Sequence, residues 1–197
     1  MSGLGVRERV RAHARTEMGR ARRTAARMSI ALGILLLAAG PAGAGTLYTW
    51  AGGPGPAPWT TAANWRPTRT SPESTDVLVI DTTAILTGIP EQKIAELHVT
   101  GGQDVEFQAA ASVFLTIAGG ASAHDFEVTS GTTLNVDSAG VIRILLEGAA
   151  TGFVQGRINV SGAAHRILGN SGASLIVASG GTIASARKPM TRLGVFR

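Results

Sequence analysis

The side chains best suited to chemistry in this chain are three tryptophans and a scatter of carboxylates. Trp50, Trp59 and Trp65 are the only tryptophans, and the single tyrosine, Tyr48, lies beside them. Indole faces clustered in this way can form a platform on which a sugar ring stacks, so Trp50, Trp59 and Trp65 are a candidate carbohydrate-binding set. Large rings also bury more area per residue than other side chains. The same cluster can therefore close the end of a hydrophobic core, and the sequence around it favours that cap.

Candidate catalytic carboxylates are Asp76, Asp81, Glu91, Asp104, Glu106 and Glu127. Polysaccharide hydrolysis or elimination needs two such groups, or a carboxylate with Arg or Lys, placed across one cleft. No pair here has a recognised spacing. Glu106 and Glu127 each stand between two apolar residues, which is the pattern of an outward position in a strand. They are expected to be solvated side chains, and no catalytic residue is assigned.

Histidines 98, 124 and 165 fall in the body of the chain and His13 in its leader, and there is no cysteine. No two body histidines share a helical ligand spacing, so no zinc site is expected. The Gly-Gly-x-Gly-x-Asp repeat of calcium-binding solenoids is missing. Glycine pairs precede no helix that could hold a phosphate, and no Gly-x-Ser-x-Gly elbow occurs. No cofactor is expected. The chain is read as a non-enzyme, with a polysaccharide lyase or hydrolase as the alternative.

The elements that must position these groups are short strands. After Ile80 the apolar residues recur at a spacing of two: Leu97 and Val99, Val105 and Phe107, Val113 with Leu115 and Ile117, Phe126 and Val128, Leu134 and Val136, Ile142 and Ile144, Ile158 and Val160, Leu175 and Val177. That period puts each pair on one face of a strand, with the residue between them facing out. Between the pairs lie Gly101-Gly102, Gly119-Gly120, Ser130-Gly131, Ser161-Gly162 and Gly180-Gly181, which are turn formers. Glycine makes up 26 of the 197 residues, well above the usual share of about 7%.

Very short strands, small corner residues and an unchanging order of apolar pair and glycine turn predict an all-β fold. The expected form is a right-handed parallel β-solenoid with an aromatic N-terminal cap, preceded by a signal-peptide helix. An antiparallel β-sandwich is the alternative. The expected organisation is a leader over 1–44, an aromatic cap and first strand over 45–80, solenoid rungs over 81–184 and a basic irregular tail over 185–197.

The leader reads as an address. Eight arginines precede Met28, an apolar run follows from Ser29 to Gly40, and Pro41-Ala-Gly-Ala44 ends it. A positive region, an apolar core of about 7–15 residues and a small-x-small site make a secretory signal peptide. Cleavage is expected between Ala44 and Gly45. Met18 gives a more compact start than Met1. An uncleaved signal would instead hold the chain in the inner membrane, and a twin-arginine route through Arg22-Arg23 lacks the expected apolar residues after the pair.

The net charge of +5 belongs to the ends of the chain. Between Gly45 and Ala186 there are six cations and eleven anions, whereas Arg187, Lys188, Arg192 and Arg197 lie in the tail. A mildly acidic body has no clustered basic face, so nucleic acid is not an expected partner.

Tyr48-Thr-Trp50-x-Gly-Gly, Trp59-x-x-Ala-Ala-Asn64-Trp65-x-Pro67 and Pro72-x-x-x-Asp76-Val-Leu-Val-Ile80 are followed by Ile94-x-x-Leu97-x-Val99-x-Gly101-Gly102. This order resembles the start of bacterial exported β-helical surface proteins, those with autotransporter-associated strand repeats and related β-solenoid passengers. The resemblance covers about residues 46–183 and implies an extracellular or outer-surface protein, with the periplasm as an alternative. It breaks in the basic stretch after Ser185.

The function expected from these features is that of an exported structural or adhesin-like module. Its partners would be the export machinery and, through outward Thr, Ser, Asn and charged residues, surface glycans or other surface proteins. A carbohydrate-binding or polysaccharide-degrading β-helix is the alternative, and a truncated fragment a second one. Nothing in the pattern sets the oligomeric state.

Overall fold

A computed structural model describes residues 45–161 and 164–186. The expected signal-peptide helix, Ala44 and the tail beyond Ala186 lie outside the described residues. The chain winds as a column of stacked coils, each contributing one short strand to each of three sheets. The opening coil is partial, with β1 (Leu47–Trp50), β2 (Pro56–Pro58), a single 3-10 turn at Ala62–Asn64 and β3 (Trp65–Arg66). The second holds β4 (Val77–Ile80), β5 (Ala84–Thr87) and β6 (Gln92–Ile94), and the third β7 (Glu96–Val99), β8 (Asp104–Phe107) and β9 (Val113–Ile117). The fourth holds β10 (Phe126–Val128), β11 (Thr133–Val136) and β12 (Ile142–Leu146), and the fifth β13 (Thr151–Val154), β14 (Arg157–Ser161) and β15 (Arg166–Gly169). A sixth begins with β16 (Ser174–Val177) and β17 (Thr182–Ala186).

The first sheet runs β3-β1-β4-β7-β10-β13-β16, the second β2-β5-β8-β11-β14-β17, and the third β6-β9-β12-β15. Every paired ladder is parallel except β1 with β3. The fold is a parallel β-solenoid, not the antiparallel sandwich. β1 and β2 are already stacked in register on β4 and β5. The aromatic stretch is therefore itself the first, capping coil of the column, and β17 ends at Ala186.

Residues separated by one coil lie directly above one another, so the period of two becomes continuous apolar columns. In the first sheet Ile80, Val99, Val128, Val154 and Val177 form one column. In the second, Ala84, Val105, Leu134, Ile158 and Ile183 form another. In the third, Ile94, Ile117 and Leu146 do the same. All of these but Val177 and Ile183, on the last described coil, join one buried cluster that fills the interior. Removing each large aliphatic side chain from water stabilises the fold by about 1.5–3 kcal/mol. A lone coil would leave the upper and lower faces of such residues wet, so each coil depends on its neighbours.

Size changes along a column are compensated. Phe126 sits on Leu97, and the next inward position is Gly152. A Cβ at Gly152 would meet the side chains of Leu175 and Leu146, which fill the space that glycine leaves. Glycine is also required at a corner. Gly156, between β13 and β14, lies over the carbonyls of Thr129 and Thr132, and any Cβ there would collide with both.

Outside, polar ladders replace apolar ones. Asn159 Nδ2 donates to Asn135 Oδ1 of the coil below at 2.8 Å. In the third sheet Arg143 lies over the Phe114 ring, 5.1 Å from its centre.

Candidate functional site

The three tryptophans do not form a platform. Trp50, Trp59 and Trp65 are 2%, 1% and 1% exposed. Trp65 stands between the other two, edge to face, at 5.0 Å from Trp50 and 5.2 Å from Trp59. Trp59 makes a further edge contact with Phe107 at 5.9 Å. The carbohydrate-binding role expected of Trp50, Trp59 and Trp65 is corrected on this point: no ring face is open to a sugar. The rings instead cover the first complete coil, where Leu78, Ile80, Leu86 and Ile94 are fully buried.

Polar atoms fix this lid. Trp65 Nε1 donates to the Trp59 carbonyl and Trp59 Nε1 to Gln92 Oε1, both at 2.9 Å. Gln92 occupies an inward position, in register with Leu115 above it. The indole N–H satisfies the Gln92 amide oxygen, while Gln92 Nε2 has no partner among the described residues. Asn64 Nδ2 donates to the Pro58 carbonyl at 2.9 Å and closes the turn between them. Asp76 accepts from the Glu73 N–H at 2.9 Å and from Arg69 Nε at 2.7 Å. Arg69 is buried as well, and its guanidinium lies 5.7 Å from the ring centres of Tyr48 and Trp65. Asp76 is thus engaged in an ion pair beneath the lid.

The remaining candidates are dispersed. Glu106 lies on the second sheet, where it accepts from Gln108 Nε2 at 2.6 Å, and Glu127 lies on the first. Among the described residues, grooves open along the column. One, of about 360 Å³, is lined by Trp50, Ala51, Pro54, Asp81, Thr83 and Gln103. Another, of about 370 Å³, is lined by Thr87, Gln108, Ala109, Asp137 and Ser138. Each groove holds one carboxylate, where acid–base cleavage of a glycan needs two acting together. His124 stacks on Phe153 at 4.2 Å, and His165 Nδ1 accepts from the Ile142 N–H at 2.9 Å.

One cluster of titratable groups joins the candidate Glu127 to Glu96 and Asp125, which sequence patterns did not single out. Glu96, His98, Asp125 and Glu127 converge on the outer edge of the first sheet. Glu96 opens β7, and Asp125 precedes β10 directly, so the two carboxylates come from neighbouring coils. Glu96 accepts from the Ser122 N–H at 3.0 Å, from Ser122 Oγ at 2.5 Å and from His98 Nε2 at 2.9 Å. His98 Nδ1 faces Glu127 Oε2 at 3.3 Å. Asp125 accepts from the Gly120 and Thr151 N–H groups, each at 2.7 Å. Both acids therefore tie down the Ala118–Asp125 connection, the longest between strands of successive complete coils. The signal that could have located them is their place: Asp76, Glu96 and Asp125 each stand immediately before the first inward residue of a first-sheet strand or one position earlier.

Glu96 is 2% exposed. Burial works to raise its carboxyl, but the hydrogen bonds from Ser122 and His98 and the charge of His98 outweigh it, so the group is held below its ordinary 4.5. A carboxyl held ionised and enclosed is suited to pinning a loop, and poorly suited to giving up a proton near neutrality. Since the folded value is the lower one, its stabilisation is complete above the unfolded value and is lost as the pH falls through the folded value. Glu96→Gln should flatten the acid limb of stability when urea midpoints are compared between about pH 3 and pH 7. An unchanged acid limb in the variant would show that Glu96 plays no such part. Among the described residues no three His, Asp or Glu side chains are placed to hold a metal ion.

The chain matches no family model, no curated protein and no solved structure.

Proposed function

We propose that this protein is an exported β-solenoid module with a structural, adhesin-like role at the cell surface, working as a rigid ladder and not through catalysis. The observation that carries this is the column itself. Successive coils share one continuous interior and present outward rows of side chains in register, a geometry suited to display along an axis. The basic leader, apolar run and small-x-small site support export. The engagement of Asp76, Glu96 and Asp125 in buried hydrogen bonds supports a scaffold role for the described acids.

The test is location and maturation of the full chain expressed in a Gram-negative host. The mature protein is expected to begin at Gly45 and to be cut by protease added to intact cells. A chain that stays in the cytoplasm with its leader attached would overturn the proposal. Cells bearing the chain are also expected to adhere better to glycan- or protein-coated surfaces than cells without it.

A further inference from the structure

The cations of the body are not spread evenly round the column. Arg69 is buried in its pair with Asp76. Of the rest, Lys93, Arg143 and Arg166 lie on strands of the third sheet, and β6, β9, β12 and β15 carry no acid. The second-sheet strands set Asp104 and Glu106 against Arg157, and the first-sheet strands set Glu96 and Glu127 against Arg66 and His98. The third sheet is thus a locally cationic face on an acidic column.

Arg143 and Arg166 stand in register on the adjacent strands β12 and β15, at an outward position. Parallel strands lie only about 4.8 Å apart, and like charges directly opposite each other cost stability. Lys93 offsets its own charge with Glu147 at 2.5 Å. Neither arginine joins an ion pair among the described residues. Every acid after Gly45 falls between Glu73 and Glu147, within the described residues, and the sequence from Arg187 onward holds only cations. The body therefore supplies the pair with no counter-charge.

We propose that this face binds acidic glycans, with a sugar carboxylate or sulfate held between Arg143 and Arg166. The inference rests on the surface role proposed above only for what brings such a glycan near. A guanidinium offers paired N–H donors that match two oxygens of an oxyanion. An anion between the two arginines replaces their repulsion with attraction. Arg143 already lies over the Phe114 ring, 5.1 Å from its centre, so it gives up less freedom on binding. Thr116, Leu145 and Leu168 form the neighbouring outward column and are half-buried. One hydroxyl and two apolar side chains there suit the hydroxyl edge and the C–H face of a sugar ring. Two unpaired cations are too few for a membrane surface, which takes clusters of about four to eight. They would also release too few counterions to hold a nucleic acid.

The test is binding of the purified full chain to polygalacturonate and to dextran sulfate, by isothermal titration calorimetry at low ionic strength. At least one is expected to bind, the tighter one naming the oxyanion, and added salt should weaken it. Methyl-esterified polygalacturonate, which keeps the sugar and loses the charge, should not bind. Arg143→Gln combined with Arg166→Gln should weaken binding by about tenfold or more. Arg166 is exposed, so Arg166→Gln alone probes the face without disturbing the fold, and should cost about threefold. Arg157→Gln, on the second sheet, should change binding by less than about twofold. A chain that binds neither polymer overturns the proposal. So does binding that survives the loss of both arginines, which would belong to the basic ends of the chain. Polyglutamate bound as tightly as either polymer would make the partner an acidic polypeptide and overturn the glycan assignment. Retention of the chain in the cytoplasm would defeat the surface role and leave the binding result standing.

Discussion

Trp65→Ala is expected to lower the stability of the full chain by about 3–5 kcal/mol, the range for deleting a fully buried large aromatic. The ring is 1% exposed and touches Trp50 and Trp59 edge to face, so its loss removes two aromatic contacts and opens a cavity between them. Each such contact contributes about 0.5–1.5 kcal/mol beyond the area it buries. It also leaves the Trp59 carbonyl without the indole N–H that it now accepts. Beneath the cavity lies the first complete coil, which has no other cover among the described residues. Urea unfolding measures the loss, and Leu47→Ala, at a position 56% exposed, is the control; it should shift stability by no more than about 0.5 kcal/mol. A Trp65→Ala cost close to that of the control would mean that the aromatic coil does not seal the column.

Asp76→Asn should cost a similar amount, about 3–5 kcal/mol, for an electrostatic reason. The substitution keeps an acceptor for the Glu73 N–H but removes the charge that faces Arg69 at 2.7 Å. The side chains of Arg69 and Asp76 are 2% and 3% exposed, so the guanidinium would be left buried without a counter-charge. Coupling the change with Arg69→Met should recover more than half of the loss, because an apolar side chain of similar length removes the unpaired charge. A double variant as unstable as Asp76→Asn alone would show that packing, and not the buried charge, sets the cost.

Much of the architecture was legible in the sequence because a solenoid is a repeating problem with a repeating answer. Leu97 and Val99, Leu134 and Val136, and Ile142 and Ile144 alternate with polar residues, and all six point into the core. Among the strands that the pattern passed over are two whose inward residues break it. β6 carries Gln92 inward, and β13 has Gly152 where an aliphatic is expected. Each substitution answers a neighbour far away in sequence, Trp59 for Gln92 and Leu175 for Gly152. No local period can encode such a pairing.

The site was less legible. The acids that stood out by composition, such as Glu106 and Asp104, lie on outer faces. Those that do structural work, Glu96 and Asp125, become partners only through the stacking of β10 on β7 and the fold of the loop between β9 and β10.

By itself the sequence determined the strand period, the glycine corners, the acidic body between basic ends and the position of the aromatic coil, because alternation, turn chemistry and charge are local properties. Only the tertiary structure decided that the three indoles face inward and that Arg69 and Asp76 pair beneath them. Burial, unlike pattern, is set by what lies one coil away, and in this chain that is 19–30 residues along.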